Sequence, residues 1–403
     1  MPHERARSVS ELCQKLLRAS PILGIFGHRQ VGKTTFMNQV SQNYLTFDTQ
    51  SERLRAELDP DAFIASLKKY PFGIDECQMV PNLFPALKER VRVKKQPGQF
   101  ILSGSVRFTS RKTIRESLAG RMMFFEMYPL VISELDQRPL SDFFPRLVKQ
   151  TMFEENQLEE ISAAERNKRL KSIDHYLMRG GLPGICFLRE DRLRLERLND
   201  LHRLMLDRDL RLVHETKISV EKLMAYLSFL GTSPFEGYSY TSVKRALSFT
   251  PVTQKALLYA LESIFLIRRI PIYGGSKGEI ILFEDQYEEF TLSRGGVSTE
   301  NQLISLLYRN LRAQFQYRMG APFQVLSYWT KNNARVPLVL KDHDQTLGIL
   351  AIEGEEPTLS QVRAAESLLK FEQRSKVAIF SKKIKKSKVL NSRIALIPLV
   401  NAV

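Results

Sequence analysis

The sequence has few cysteines and no long uninterrupted apolar run. Three cysteines occur among 403 residues, Cys13, Cys77 and Cys186, and none belongs to a CxxC or Cys/His cluster. This pattern argues against a disulfide framework or a zinc site and favours a reducing compartment. The most apolar stretch, residues 122–132, is interrupted by a glutamate and a proline and is too short to span a bilayer. Since the first residues also lack the apolar run of a signal peptide, we expect a soluble cytoplasmic protein with no membrane partner.

Acidic residues are scarce relative to basic ones. The chain has 44 Asp and Glu against 60 Lys and Arg, which gives a net charge of +16. Such an excess favours a polyanionic partner, nucleic acid before a membrane surface. Eight basic side chains and no acidic one follow Glu372, so half of the net charge lies in this basic tail. The tail is either a solvated, solubilising end or a phosphate-binding patch.

Strand-like and helical patterns divide the chain into regions. Short apolar runs alternate with helical periodicity up to about residue 135, which predicts a parallel sheet with helices on both faces. The following region is mostly helical, and it ends in three short helices and a β-hairpin, an order that resembles a winged helix. We predict an amino-terminal helix (1–20), an α/β domain (21–135), a helical and winged-helix domain (136–290) and a further α/β unit (291–403).

A glycine-rich loop between an apolar run and a helix carries the strongest chemical signal. It fits the pattern Gly-x4-Gly-Lys-Thr of a Walker A loop, whose backbone N–H groups and following helix end bind phosphate oxygens. Lys33 would reach the β- and γ-phosphates of ATP, and the Thr34 hydroxyl would ligate Mg²⁺. The predicted nucleotide-binding residues are Gly27, His28, Arg29, Gln30, Val31, Gly32, Lys33, Thr34 and Thr35.

Another apolar run, residues 72–74, ends in two carboxylates, Asp75 and Glu76. Asp75 is predicted to hold Mg²⁺ through water, and Glu76 stands where a general base for the attacking water belongs. Paired acids can instead cap the next helix. The Asp-Glu pair favours hydrolysis over transfer to a small acceptor, and the lack of an Asn-Lys-x-Asp motif favours ATP over GTP.

Ser103 and Arg121 are two further candidates for this site. Ser103 ends the apolar run 100–102, and such a strand end lies beside the γ-phosphate, where the hydroxyl would orient water. A serine can also simply begin a glycine turn. Arg121 precedes the last predicted strand, 122–128, and is a candidate arginine finger, in its own chain or for a neighbour in a homo-oligomer.

Together these motifs resemble those of bacterial and archaeal AAA+ ATPases in which the ATPase domain is followed by a C-terminal region of unknown function. The resemblance implies an Mg²⁺-dependent, ATP-hydrolysing protein of the AAA+ type, with Lys33, Glu76, Ser103 and Arg121 as catalytic side chains. It covers nearly the full length and weakens from about residue 290. The segments that carry it are 27–35, 74–78, 102–105, 117–121, 176–183 and 207–210.

In many of these relatives the C-terminal unit looks like a PD-(D/E)xK nuclease. Here Glu300 matches the helix acid, but Pro337 lies in the run where the aspartate is expected, and Glu355 replaces the lysine of Glu-x-Lys. Loss of a metal ligand and of its charge partner argues against two-metal cleavage. We expect a degenerate, non-cleaving unit.

The predicted winged helix offers a second route to nucleic acid. Its third helix is expected to expose Thr253, Gln254 and Lys255, and Arg268 and Arg269 would lie on the wing. Such modules also serve as lids or protein-docking surfaces, so double-stranded DNA and protein both remain open as partners.

Two functions are therefore compared. The first is an AAA+ ATPase that couples nucleotide state to a conformational or oligomeric change, on DNA or on another partner. The alternative is a nucleotide-gated binding module with negligible turnover. Glu76 favours the first, because a pure switch needs no general base.

Overall fold

The computed structural model of the chain describes residues 5–107, 118–154, 160–232, 235–294, 296–319, 323–342 and 345–403. It confirms the predicted fold class: a parallel-sheet α/β domain of the P-loop NTPase type is followed by a helical region and a mixed-sheet α/β region. Ser117 and the residues before it in the predicted helix lie outside the described residues. Within the described residues, every helix is too short or too polar to cross a membrane.

The first sheet has five parallel strands in the order β2-β3-β4-β1-β5. Because the strands are parallel, their carboxyl ends share one edge, and β1 and β3 lead there into the two predicted nucleotide motifs. The strands are β1 (Ile22–Phe26), β2 (Asn43–Thr46), β3 (Phe72–Asp75), β4 (Phe100–Gly104) and β5 (Met122–Glu126). The helices are α1 (Ser10–Ala19), α2 (Lys33–Val40), α3 (Gln50–Leu58), α4 (Pro60–Ser66) and α5 (Leu83–Val93).

The helical region follows β5. One helix of this region is continuous from Asp191–Leu204 through a π-helical turn, Met205–Asp209, into Leu210–Val213. Such turns are rare in proteins, and those that occur are often found at functional sites. The helices are α6 (Ile132–Leu135), α7 (Phe143–Lys149), α8 (Ala163–Arg179), α9 (Pro183–Cys186), α10 (Asp191–Leu204), α11 (Leu210–Val213), α12 (Val220–Gly231), α13 (Tyr240–Leu247) and α14 (Pro251–Ser263).

A second sheet has eight strands in the order β12-β13-β11-β10-β9-β8-β6-β7. The predicted hairpin, β6 and β7, forms one edge of it, because β6 pairs in parallel with β8. The hairpin is therefore not a free wing, and it shares a sheet with strands of the predicted last unit. The strands are β6 (Ile267–Tyr273), β7 (Gly278–Phe283), β8 (Gln324–Trp329), β9 (Arg335–Asp342), β10 (Gln345–Ala351), β11 (Ser375–Ser381), β12 (Lys388–Asn391) and β13 (Ile394–Pro398); the helices are α15 (Gln286–Leu292), α16 (Thr299–Met319) and α17 (Leu359–Phe371).

Three residues assigned to the DNA-facing surface are bound within the protein instead. Gln254 is fully buried, and its amide donates to the carbonyls of Tyr240 and Phe249. Arg268 is buried beside Glu126 and Glu284, and Arg269 pairs with Glu279 at 2.7 Å. The expectation that Gln254 and Arg268 face DNA was wrong, because both are buried and hydrogen-bonded within the protein, whereas Arg269 stays partly exposed.

The basic tail is part of the folded sheet, since β11, β12 and β13 lie within it. Lys376 is buried, and its ammonium contacts the Gln150 carbonyl, so burial lowers the pKa of Lys376 to about 8. Arg393 donates to the carbonyls of Ser375, Leu369 and Glu372. These two cations stabilise the sheet, which corrects the picture of one continuous solvated or phosphate-binding tail.

The residues compared with a nuclease do not meet in a metal centre among the described residues, where no group of three or more His, Cys, Asp and Glu side chains is placed to hold an ion. Glu300 accepts a hydrogen bond of 2.9 Å from the Gln361 side chain of α17. Pro337 lies within β9, and Glu355 lies beyond the end of β10.

Candidate nucleotide-binding site

The loop after β1 has the form that its glycines and lysine predict. Gly32 has φ of 93°, a left-handed conformation that favours glycine, and it is the residue before α2. Lys33 donates from Nζ to the carbonyls of Gly27 and His28, at 2.9 Å each. Burial lowers the pKa of Lys33, and the carboxylates of Glu76 and Asp75 oppose that effect. The ammonium is thus held over a loop suited to phosphate, at the positive end of α2.

Asp75 brings three hydroxyl groups together at the end of β3. Thr34 Oγ1 donates to Asp75 Oδ2 at 2.5 Å, and the Tyr44 hydroxyl donates to the same oxygen at 3.1 Å. Ser103, which is fully buried, donates to Asp75 Oδ1. A hydroxyl and a carboxylate in direct contact supply the oxygen ligands that Mg²⁺ takes. Thr34 and Asp75 therefore fit that ion.

Glu76 is held beside this pair in an unusual backbone conformation. Its φ of 52° lies in the left-handed region, and non-glycine residues there cluster at functional sites. Its Oε2 accepts from the side chains of Gln78 and Ser105, the latter at 3.4 Å. Burial raises the pKa of Glu76, although the facing charge of Lys33 opposes the shift. A buried carboxylate of this kind is a stronger base than an exposed one.

This pKa shift predicts a pH dependence for catalysis. If Glu76 serves as a general base it must be deprotonated, so turnover should be lost as pH falls through the Glu76 pKa, at a pH above the usual glutamate value of 4.5. The measurement is kcat for ATP hydrolysis across acidic and neutral pH, with circular dichroism at each pH to show that the fold persists. A kcat that stays constant down to the usual glutamate range would contradict this role.

A cavity of about 440 Å³ opens between the Walker A loop and the helical region. Its size suits a small ligand. The lining combines the loop with the amino-terminal segment before α1, the segment after β2 and the start of α9. The lining residues are Arg5, Arg7, Arg29, Gln30, Gly32, Lys33, Thr34, Thr35, Phe36, Gln39, Asp48, Glu76, Leu130, Pro183 and Gly184.

Arg7 is a site residue that sequence reasoning missed. It is buried, and it donates to the Val31 carbonyl at 2.7 Å and to the Tyr128 carbonyl at 2.6 Å. Its Nε also lies 3.2 Å from Glu134 on α6. Arg7 therefore ties the Walker A loop to the segment after β5. Nothing in the local sequence signals this, because an arginine before an amphipathic helix normally faces solvent.

The π-helical turn contributes a second group of unpredicted contacts. Arg29 of the Walker A loop lies 3.2 Å from Asp209, and Arg208 lies 2.9 Å from Asp48. Burial alone would lower the pKa of Arg208, but Asp48 and the charges of Asp209 and Glu76 raise it. The segment 207–210 was singled out only through the family resemblance, and no role was assigned to it.

Comparison with known proteins agrees with this geometry. Residues 19–136 match a family described as an AAA domain. This region is an AAA-type P-loop domain. Residues 170–279 match a family described only as a domain of unknown function. The C-terminal nuclease likeness is not supported by either match.

Full-length relatives add little to this assignment. Uncharacterized proteins of Mycobacterium bovis and Mycobacterium tuberculosis are each 33% identical over 135 residues, which is 33% of this chain. The chain spans 30% of the length of these curated relatives. The matched part is therefore about the size of one domain.

Similar solved structures are more distant. A Walker-type ATPase of Pyrococcus abyssi has a TM-score of 0.41 at 13% identity, with 72% of this chain and 95% of that chain covered. A DNA replication initiation factor has a TM-score of 0.24 at 14% identity, with 63% and 86% covered. Scores in this range carry no argument about function.

Three of the four predicted catalytic residues lie at or next to the cavity, and the fourth does not. Lys33 and Glu76 line the cavity, and Ser103 lies behind them on Asp75. Arg121 lies elsewhere, because it precedes Met122, which pairs with Ile22 at the amino end of β1. The P-loop follows the other end of this five-residue strand, roughly 16 Å away at the usual rise per residue. Arg121 therefore lies at the opposite edge from its own chain's site.

Proposed function

We propose that the chain binds ATP with Mg²⁺ in this cavity and hydrolyses it. The observation that carries the proposal is the contact between Thr34 and Asp75 directly beside the buried carboxylate of Glu76. The end of β3 thus supplies one ligand for the ion, Asp75, and a base for water, Glu76, and Thr34 of α2 supplies the other ligand. The Walker A loop faces them across the same cavity and supplies Lys33.

The chemistry follows from these positions. The loop N–H groups and Lys33 would bind the phosphates, and Mg²⁺ held by Thr34 and Asp75 would neutralise phosphate charge. Glu76 accepts a proton from water as the water oxygen bonds to the γ-phosphorus. The bond from that phosphorus to the bridging oxygen breaks, which releases ADP and inorganic phosphate. Ser103 would act by holding Asp75 in place, because its hydroxyl already donates to that carboxylate.

A nucleotide-gated binding module is the second candidate. It is favoured by one observation: Gln78 and Ser105 both engage Glu76 Oε2, so the base is already hydrogen-bonded in this conformation. If nucleotide binding left those bonds in place and kept Glu76 Oε1 turned away from the attacking water, ATP would act only as a switch.

Arg121 is proposed to act on the nucleotide of a second copy in a homo-oligomer. An Arg121→Ala variant should then lose hydrolysis, and so should Glu76→Gln. Mixing the two should restore part of the activity, because an Arg121→Ala site keeps Glu76 and receives Arg121 from the Glu76→Gln subunit. The measurement is phosphate release from equimolar mixtures. Activity no greater than the sum of the separate variants would contradict a shared site.

We propose that the chain works in the cytoplasm and that its partner is double-stranded DNA. The net positive charge supports this partner, and so do three exposed basic residues of α13 and α14: Lys244, Arg245 and Lys255. The test is steady-state ATP hydrolysis with and without duplex DNA at two salt concentrations. Stimulation that weakens with salt supports a DNA-coupled ATPase. Turnover that ignores DNA would overturn this partner and point to protein.

A further inference from the structure

Two neighbouring side chains of the Walker A loop contact helices that lie outside the AAA domain. Arg29 reaches Asp209, as described above. His28 reaches α15, where its Nε2 lies 3.1 Å from Glu288 Oε1. Both the His28 and the Glu288 side chains are fully buried. A phosphate-binding loop that only bound phosphate would not need a buried side-chain contact with a helix more than 250 residues later.

The hydrogen-bonding pattern shows how His28 is held. Its Nδ1 lies 2.6 Å from the Arg29 carbonyl, which can only accept, so Nδ1 carries a proton. The other nitrogen faces a carboxylate. Burial by itself lowers the pKa of His28, but Glu288 outweighs this and raises it. Burial by itself would raise the pKa of Glu288, but the neighbouring His28 and His202 lower it to about 2. The two buried side chains are therefore in direct contact, with His28 Nε2 facing the Glu288 carboxylate.

Glu288 is itself fixed from two other directions. His202 of α10 places its Nε2 3.1 Å from the same carboxylate oxygen. The other oxygen, Oε2, accepts from the Asp285 backbone N–H at 3.1 Å, within the capping box of α15. Glu288 is thus an anchored part of α15, and a shift of His28 acts on the helix instead of on a mobile side chain.

The main chain of His28 takes part in the phosphate site itself. Its carbonyl is one of the two that accept from Lys33 Nζ. When phosphate enters a Walker A loop, the lysine contacts the phosphate oxygens. The His28 peptide then loses its cation, while its ring remains tied to α15. Phosphate binding would therefore change the contacts of the His28 main chain, while the contact of its ring with Glu288 stays the same.

The same helix continues to the rim of the cavity. Asp285, just before α15, accepts from the Gly181 N–H at 2.6 Å. Gly181 cannot carry a side chain here, because a Cβ would lie 2.0 Å from the Leu130 carbonyl. Two residues later, Pro183 and Gly184 line the cavity. The path from the loop through His28 and α15 therefore returns to the site.

We propose that His28 and Glu288 are positioning residues that transmit phosphate occupancy of the Walker A loop to α15 and, through Asp285, to the loop at residues 180–184. This inference rests on the proposed function, since it requires a nucleotide at the loop. The contacts that would carry this coupling form a continuous chain, and its linking side chains, His28, Glu288 and Asp285, are buried.

Two substitutions at residue 28 separate its two contacts. His28→Gln places an amide donor where Nε2 stands and keeps a partner for Glu288. His28→Asn places a donor near Nδ1, keeps the Arg29 contact and loses Glu288. Glu288→Gln removes the charge from the other side. Circular dichroism shows which variants fold, and if Glu288→Gln does not, the two residue-28 variants decide.

The measurement is hydrogen exchange of the full chain with and without Mg²⁺ and adenylyl imidodiphosphate, a non-hydrolysable ATP analogue. In the unmodified protein and in His28→Gln, the analogue should change exchange in both residues 27–35 and 286–292. In His28→Asn and Glu288→Gln, the loop should still respond to the analogue. The ratio of bound to free exchange rates in 286–292 should then equal one, which means that the analogue no longer affects this helix.

Two results would overturn the inference while leaving the proposed function intact. One is a loop response in the unmodified protein without any response in 286–292. The other is an unchanged response of 286–292 in His28→Asn. Absence of any loop response in the unmodified protein would instead contradict nucleotide binding, and with it the proposed function.

Discussion

Glu76→Gln is expected to lower kcat for ATP hydrolysis by about 10²- to 10⁴-fold, the usual contribution of a general base. The substitution removes the proton acceptor but keeps a side chain of the same length beside Gln78 and Ser105. ATP affinity should stay within about threefold, because the loop and Lys33 are untouched. The measurements are kcat from phosphate release and affinity from a fluorescent ATP titration.

Glu57→Gln is the matched control for that experiment. Glu57 is an exposed glutamate of α3 in the same AAA domain, outside the cavity lining. Its loss should leave kcat unchanged, because an exposed carboxylate there touches neither nucleotide nor water at the site. If Glu76→Gln hydrolysed ATP as fast as Glu57→Gln, another group would have to be the base.

Arg309→Met is expected to destabilise the fold by about 3–5 kcal/mol, the usual effect of breaking a buried ion pair. The Arg309 guanidinium of α16 is buried and holds the segment before and within α15. It contacts the Glu289 carboxylate at 3.0 Å, the Gln286 side chain at 2.7 Å and the carbonyls of residues 283–285. Methionine fills much of the space but leaves all of these acceptors without the cation.

Urea unfolding followed by the fluorescence of Trp329 measures this effect, since the single tryptophan of the chain lies in β8 of the second sheet. Arg92→Met on α5 is the control, because its ion pair with Glu89 is solvent-exposed and its loss should not move the midpoint. Adding Glu289→Leu to Arg309→Met should recover part of the loss. Equal midpoints for Arg309→Met and Arg92→Met would contradict this account.

The nucleotide motifs were predictable because their structure is local. A strand, a glycine-rich loop and a helix follow one another within twenty residues, and each element has its own sequence signal. Asp75 and Glu76 likewise end a short apolar run. Once the sheet is parallel, both segments must meet at one edge. The match of residues 19–136 to an AAA domain agrees with that reading.

The contacts that surround the motifs were not predictable in the same way. Arg268 looked like an exposed basic residue of a wing, yet Glu126 of β5 and Glu284 after β7 bury it. Pairing of β6 with β8 placed the hairpin in a larger sheet, and no local pattern announces such long-range pairing. Arg121 precedes β5, and because β5 runs parallel to β1 this position lies at the edge of the sheet opposite the P-loop.

The acidic run at residues 284–289 shows the same limit most clearly. In sequence it looks like a solvated turn before a helix, because carboxylates are rarely buried without partners. In the structure its side chains are almost fully buried, and their partners include His28, His202, Arg309 and Arg312, which come from three separate regions. Burial of this run depends on tertiary contacts that only the folded chain reveals.

The most direct test of hydrolysis at this site is a single-turnover experiment with the purified protein in excess over radiolabelled ATP. The account predicts that Mg²⁺ leads to one phosphate released per bound ATP, and that EDTA or Lys33→Ala prevents release. ATP that stays intact on the unmodified protein in the presence of Mg²⁺ would contradict it, and the nucleotide-gated module would then take its place.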